Sequence, residues 1–264
     1  MELTPFSELT AAMQHIDGRH RITLPADWLQ GRTAYGGLSA ALCLQATVRS
    51  HADLPPLRSA QFCFIGPATG QLDIAASVLR QGKSTVIVGT DLTGDSGLAV
   101  RATFCFGSGR TSAHHHQSLV MPQVSAPDPC PSYFEWPQRP NFMSHFEGKL
   151  AHGAHPRTPG ALPEMTVWLR HRDEGDDADL VRLLALADAL PPAALVLANE
   201  PTMISTMTWS IDMLEARPYT PNGWWLAQTV ADTSREGYSA QSNVIWSSDG
   251  KPVLVARQNV AIFG

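Results

Sequence analysis

One succession of segments occurs twice along the chain, and it constrains the fold more than any single motif. The first copy opens with a short strand candidate, His20 to Leu24, followed by Trp28. GRTAYGGLSAALCLQATVRS (31–50) then reads as a helix opened by Gly36-Gly37. It stops at ADLPP (52–56), because proline cannot continue a helix. Strand-like runs follow at SAQFCFI (59–65), QLDIAASVLRQ (71–81), STVIVGTDL (84–92) and LAVRATFCF (98–106). The second copy keeps this order. A strand candidate, EMTVWLRHR (164–172), precedes a helix with an acidic N-cap, DADLVRLLALAD (177–188), which ends at ADALPP (187–192). Strand runs come next at 204–214, 224–234, 237–246 and 253–263. The copies are offset by roughly 136 to 156 residues, and their turns also match: IGPATG with ARPYTPNG, and GDSGLAVR with SDGKPVLVAR. A helix followed by several antiparallel strands is not a βαβ pattern. The expectation is an α+β chain in which each antiparallel sheet curls around its own helix and the two units pair into one continuous sheet. The Pro/Ser/His-rich stretch from Gly107 to about Phe142 reads as a crossing linker. The expected division is therefore 1–107, a linker at 108–142, and 143–264.

Composition removes several classes. With 264 residues, 44% hydrophobic and 16% charged, the chain is neither disordered nor fibrous. Its net charge of −5 and lack of a Lys/Arg cluster argue against a nucleic-acid partner. No apolar run approaches membrane-spanning length. The N-terminal MELTPFSELT has no basic region or long apolar core, so a cytoplasmic location is expected. Cys43, Cys63, Cys105 and Cys130 show no CxxC spacing and read as reduced, buried thiols.

Polar residues on apolar faces are the candidates for chemistry. In the second helix, Leu180, Leu183, Leu184 and Ala187 form a stripe whose next position is Asp188. A carboxylate on a buried face is costly, and its perturbed pKa suits a general base. The competing reading is that Asp188 merely ends the helix near Pro191. On the last strand Leu254, Ala256, Gln258, Val260 and Ile262 share a face, and Gln258 is its polar member. A buried amide needs partners, so Gln258 orients either a water or substrate, or a neighbouring strand. Ala102 holds the corresponding place in the first copy. Thr208 lies with Ile204, Thr206, Ser210 and Asp212 on one strand face, opposite Met207, Trp209, Ile211 and Met213. By alternation alone that face is turned to solvent. Gly36-Gly37 at a helix start either presents N–H groups to a carbonyl oxygen or serves close packing. Gly94-Asp95-Ser96-Gly97 is similar to a serine-protease nucleophile motif, but it sits in a hairpin turn. His114-His115-His116 lies in the linker without spaced acidic partners, and no GxGxxG or Walker loop is present. No metal site is expected.

The duplicated helix-and-sheet unit resembles the double hotdog fold of the bacterial acyl-CoA thioesterase II (thioesterase B-like) family. In the first half the likeness rests on Gly36-Gly37, FCFIGPATG, and LRQGKS leading to LAVRATFCFG. In the second it rests on VWLR…LLALAD, TWSIDMLEARP and DGKPVLVARQ. The resemblance implies hydrolysis of acyl-CoA to free acid and coenzyme A. It also implies a trio of Asp188, Thr208 and Gln258, in which Asp188 either activates a water or attacks the thioester itself to form a mixed anhydride, while Thr208 and Gln258 position the water or the carboxylate. Thr208 stands nine positions before Arg217, and Gln258 eight after Gly250. Ser210 departs from the Asp of several relatives. Coenzyme A would arrive as part of the substrate, with no bound cofactor. Gly36 and Gly37 are candidates for holding the thioester oxygen. The acyl tail is expected between helix and sheet near Trp168, Trp209 and Trp224, although these aromatics equally suit a core. By analogy a homo-oligomer is expected. Two competing classes are a hotdog hydratase or dehydratase, and a non-catalytic acyl-CoA binder. The absence of histidine from Leu180–Leu190 argues against the first.

Overall fold

Turn chemistry and proline place the element ends in a computed structural model that describes residues 3–136, 139–176 and 179–263. Helix α1 (Phe6–Ala11) leads to a hairpin, β1 (Gln14–Ile16) and β2 (Arg19–Thr23). Its turn, Asp17-Gly18, has positive φ at both residues, the conformation that a tight two-residue hairpin needs. A small ribbon, β3 (Leu29–Gln30) and β4 (Thr33–Ala34), precedes α2 (Gly36–Ser50). Four long strands complete the first half: β5 (Leu57–Phe64), β6 (Gln71–Gln81), β7 (Thr85–Gly94) and β8 (Gly97–Gly107). The second half runs β9 (Phe146–Gly153), β10 (Glu164–His171), α3 (Leu180–Ala187), β11 (Met203–Met213), β12 (Trp225–Arg235), β13 (Tyr238–Ser247) and β14 (Pro252–Phe263).

All strands except the ribbon join one antiparallel sheet, ordered β1-β2-β6-β7-β8-β5-β11-β14-β13-β12-β10-β9. Reading outward from the β5–β11 seam, β5-β8-β7-β6-β2 is matched by β11-β14-β13-β12-β10. The repeat seen in the sequence is therefore a structural one, and the continuous sheet is a double hotdog. At the seam Phe62 faces Trp209 and Ala60 faces Ile211, all buried, whereas Cys63 faces Thr208 on the opposite, exposed side.

The two helices lie on the inner face of the sheet and pack on each other. Asp179 caps α3 by accepting from the Val181 N–H at 2.8 Å. The expected start at Asp177 lies outside the described residues. Every residue from Val181 to Ala187 is buried, so α3 has no solvent side and its apolar stripe does not by itself define a face. It is also shorter than α2, eight residues against fifteen. Pro191-Pro192 breaks it, and a 3-10 turn at Ala193–Leu197 covers β12 and β10 instead.

The stretch after β8 is more than a tether. Met121, Val124 and Cys130 pack on Trp168, Trp224, Leu226 and Trp246, a cluster separate from the main core. The Trp168 indole N–H donates to the Ser125 carbonyl at 2.9 Å. Trp168 alternates with the inward Val167 and Leu169, so this cluster occupies the outer face of the sheet. That placement removes Trp168 and Trp224 from the expected acyl path, leaving Trp209 in the main core. The thiols also differ from expectation: Cys43 and Cys130 are buried, but Cys63 is exposed and Cys105 half-buried. Strand alternation explains this, because Cys63 takes the outward position between Phe62 and Phe64. No helix among the described residues is long and apolar enough to cross a membrane.

Candidate active site

The start of α2 and the end of α3 meet at Gly36, Gly37 and Asp188. A Cβ on Gly37 would sit 2.7 Å from the Ala185 carbonyl oxygen and 2.9 Å from the Asp188 Cβ. One on Gly36 would sit 2.7 Å from Asp188 Oδ2. Glycine is thus needed for close helix–helix approach rather than for backbone conformation. The Tyr35 hydroxyl ties the same junction by donating to the Ala185 carbonyl at 3.1 Å.

Asp188 is the C-cap of α3, so it does end the helix, as the plainer reading had it. It also lies at the N-terminus of α2, where the Gly37 N–H faces its carboxylate and favours the charged form. The helix dipole there favours a negative charge. Gly36 and Gly37 were expected to present N–H groups to a thioester oxygen; here the Gly37 N–H faces the Asp188 carboxylate.

A second support comes from the sheet. Gln258 on β14 donates from Nε2 to Asp188 Oδ1 at 2.5 Å across 70 residues of sequence. The Gln258 oxygen in turn accepts from Gln241 Nε2 on β13, its register partner. The Gln241 oxygen accepts from the Ala193 backbone N–H at 3.0 Å. Gln241 and Gln258 are both almost fully buried. Asp188 keeps a small exposed surface while protein packs around its carboxyl. Burial pushes that carboxyl up to about 7, against the lowering effect of the Gln258 and Gly37 donors. A carboxyl poised there exchanges protons near neutral pH.

Thr208 is not brought to this group. Thr206 pairs with the fully buried Val260, but Thr208 pairs with Asn259, and the register shifts between them. A bulge at Met207 reverses the alternation. Ile204 and Thr206 then face inward together with Trp209, Ile211 and Met213, while Thr208, Ser210 and Asp212 face outward and are exposed. Opposed strand residues point to the same side, so Thr206 shares the inner face with Gln258, diagonal to it. The sequence reading missed Gln241 altogether. Its signal was a polar inner row on β13 (Ser239, Gln241, Asn243), meaningful only once the pairing with β14 is known.

The remaining motifs resolve simply. Gly94 and Gly97 close the β7–β8 hairpin, with φ of 102° at Gly97. His114, His115 and His116 are exposed. Among the described residues no group of three or more His, Cys, Asp or Glu is placed to hold a metal ion.

Fold and site together define a double hotdog protein with a buried acid between its two helices. The family of acyl-CoA thioesterase N-terminal domains matches residues 24–107, and that of acyl-CoA thioesterase C-terminal domains matches residues 123–262. The chain belongs to the acyl-CoA thioesterase family. Among curated proteins none matches its sequence. Among solved structures, a conserved protein of unknown function with a hotdog fold from Alicyclobacillus acidocaldarius is 24% identical, with 99% of each chain covered and a TM-score of 0.86. Acyl-CoA thioesterase II TesB2 from Mycobacterium marinum is 17% identical, with 97% of this chain and 98% of that one covered and a TM-score of 0.77. The dehydratase domain of RzxB from Pseudomonas fluorescens is also similar, at 12% identity, 93% and 94% coverage and a TM-score of 0.55. These likenesses establish the fold; the chemistry has to be argued from the site.

Proposed function

We propose that the protein hydrolyses acyl-CoA thioesters, with Asp188 as general base. The observation that carries this reading is a single buried carboxylate at the start of α2, aligned by Gln258 and held near neutrality. Asp188 takes a proton from a water as the water oxygen attacks the thioester carbonyl carbon. The tetrahedral intermediate collapses, the C–S bond breaks, and the coenzyme A sulfur leaves with the proton returned by Asp188. The products are the free acid and coenzyme A. Gln258 holds the carboxylate in register, and its position makes it an orienting group for the base. Thr206, which shares the inner strand face with Gln258, is the hydroxyl we assign to hold the water in place of the outward Thr208. A hydratase or dehydratase would call for a histidine partner, and α3 carries none.

The test is a thiol-release assay over acyl-CoA chain lengths with purified protein and the Asp188→Asn variant. Wild type should turn over, and the variant should lose at least about 10²-fold in kcat. Equal turnover by both would remove Asp188 from the mechanism. Tight acyl-CoA binding with no hydrolysis by either would make the protein a binder. A single turnover in oxygen-18 water tests the nucleophilic route: water activation puts the label in the free acid and leaves the mass of the Asp188 peptide unchanged, whereas label in the Asp188 peptide shows a mixed anhydride opened by water at the Asp188 carbonyl.

A further inference from the structure

We propose that Gln241 is a positioning residue: it determines which end of the Gln258 amide faces Asp188. An amide side chain has one donating and one accepting end, whereas a backbone N–H only donates. The Ala193 N–H points at Gln241 from 3.0 Å, so the Gln241 oxygen must lie there. Its NH2 is then left facing Gln258 and requires the Gln258 oxygen. Only the Gln258 NH2 remains for Asp188. Polarity thus runs in one direction, from a fixed backbone donor through two buried amides to the carboxylate. Ala193 is a firm anchor because it opens the 3-10 turn directly after Pro191-Pro192. Turning either amide around would set N–H against N–H, or oxygen against oxygen, between side chains that are almost fully buried.

The consequence falls on the base, and this part rests on the hydrolase reading. Facing the Gln258 NH2, Asp188 is stabilised as a carboxylate. Facing the Gln258 oxygen, it would make a hydrogen bond only when protonated, and so could not accept a proton from water. The other neighbours of the carboxyl leave this control with Gln258. From α2 comes the Gly37 N–H, and from the residue before it the Tyr35 hydroxyl, whose proton is engaged by Ala185. β5 contributes Phe64 beside Gly36. On α3 the charged Arg182 is bound to Asp173. On β14 the flanking Arg257 is turned outward to Asp232.

The experiment is an NMR titration of Asp188 in carbon-13 aspartate-labelled protein, for wild type, Gln241→Leu, Gln258→Leu and the double variant. With Gln241→Leu the Asp188 midpoint should rise by about one unit, because the Gln258 amide is no longer oriented. With Gln258→Leu it should rise at least as far. In the Gln258→Leu background, Gln241→Leu should add nothing, since its effect is transmitted through Gln258. The unbranched Gln241→Met serves in place of Gln241→Leu if the branched side chain prevents folding. An unmoved midpoint in Gln241→Leu or Gln241→Met overturns the proposal, and so does an equal shift in both backgrounds. The titration needs no turnover, so its outcome stands apart from the hydrolase reading. If that reading also holds, the acid limb of kcat/KM moves by the same amount as the midpoint.

Discussion

An acid held against its ionisation should cost the protein stability where it functions, and replacing Asp188 measures that cost. The carboxyl moves from 3.8 to about 7 on folding. The native state therefore keeps a proton that the unfolded chain releases. Stability rises with pH only where the unfolded state binds more protons; here the native state binds more, so stability falls as pH rises from about 4 to about 7. At 1.36 kcal/mol per unit, the full loss is about 4 kcal/mol, of which about 2–3 kcal/mol falls between pH 5 and 8. Asp188→Asn removes this titration while keeping the size of the side chain. Its amide meets the Gly37 N–H less well than a carboxylate does, which adds a constant penalty, and a comparison across pH cancels that constant. Urea unfolding of wild type and Asp188→Asn at pH 5 and 8 is the assay. The stability of the variant relative to wild type should improve by about 2–3 kcal/mol from pH 5 to pH 8. Parallel pH dependences in the two proteins would show that Asp188 ionises freely in the fold and would refute the reasoning.

Other outcomes follow from the same geometry. Gly37→Ala places a Cβ 2.7 Å from the Ala185 carbonyl oxygen, and urea unfolding should show a loss of about 1–3 kcal/mol; no loss would deny the close helix approach. Gln258→Leu removes a donor to the ionised carboxyl, so the acid limb of kcat/KM should move to higher pH, and a limb that stays in place would separate Gln258 from the base. Steady-state assays of Thr206→Val and Thr208→Val should show the larger loss in the former, with Thr208→Val within about threefold of wild type; the reverse order would place Thr208 on the inner face.

Much of the architecture was legible because its signals are local. Proline pairs stop both helices, Gly-containing turns close the hairpins, and alternating apolar residues mark the strands. Asp188 and Gln258 stood out because each is polar where a local period called for an apolar residue. Alternation turned Thr208 outward, where it lies, but turned Ile204 and Thr206 outward with it, and those two face inward. Period-two counting along 204–214 assumes an unbroken strand, and the bulge at Met207 is a property of its pairing with β14. Trp168 and Trp224 could not be assigned to a face until the linker was seen lying over them.

Taken alone, the chain of residues determined the duplicated helix-and-sheet plan, the order of its elements and two polar positions that an apolar pattern leaves unexplained. Only the tertiary structure decided that the start of α2 meets Asp188, that Gln241 stands behind Gln258, and which threonine faces inward. Periodicity and turn chemistry act over a few residues and are written in sequence. Strand register and helix contact join residues 70 or 150 positions apart, and their outcome depends on how every intervening element packs.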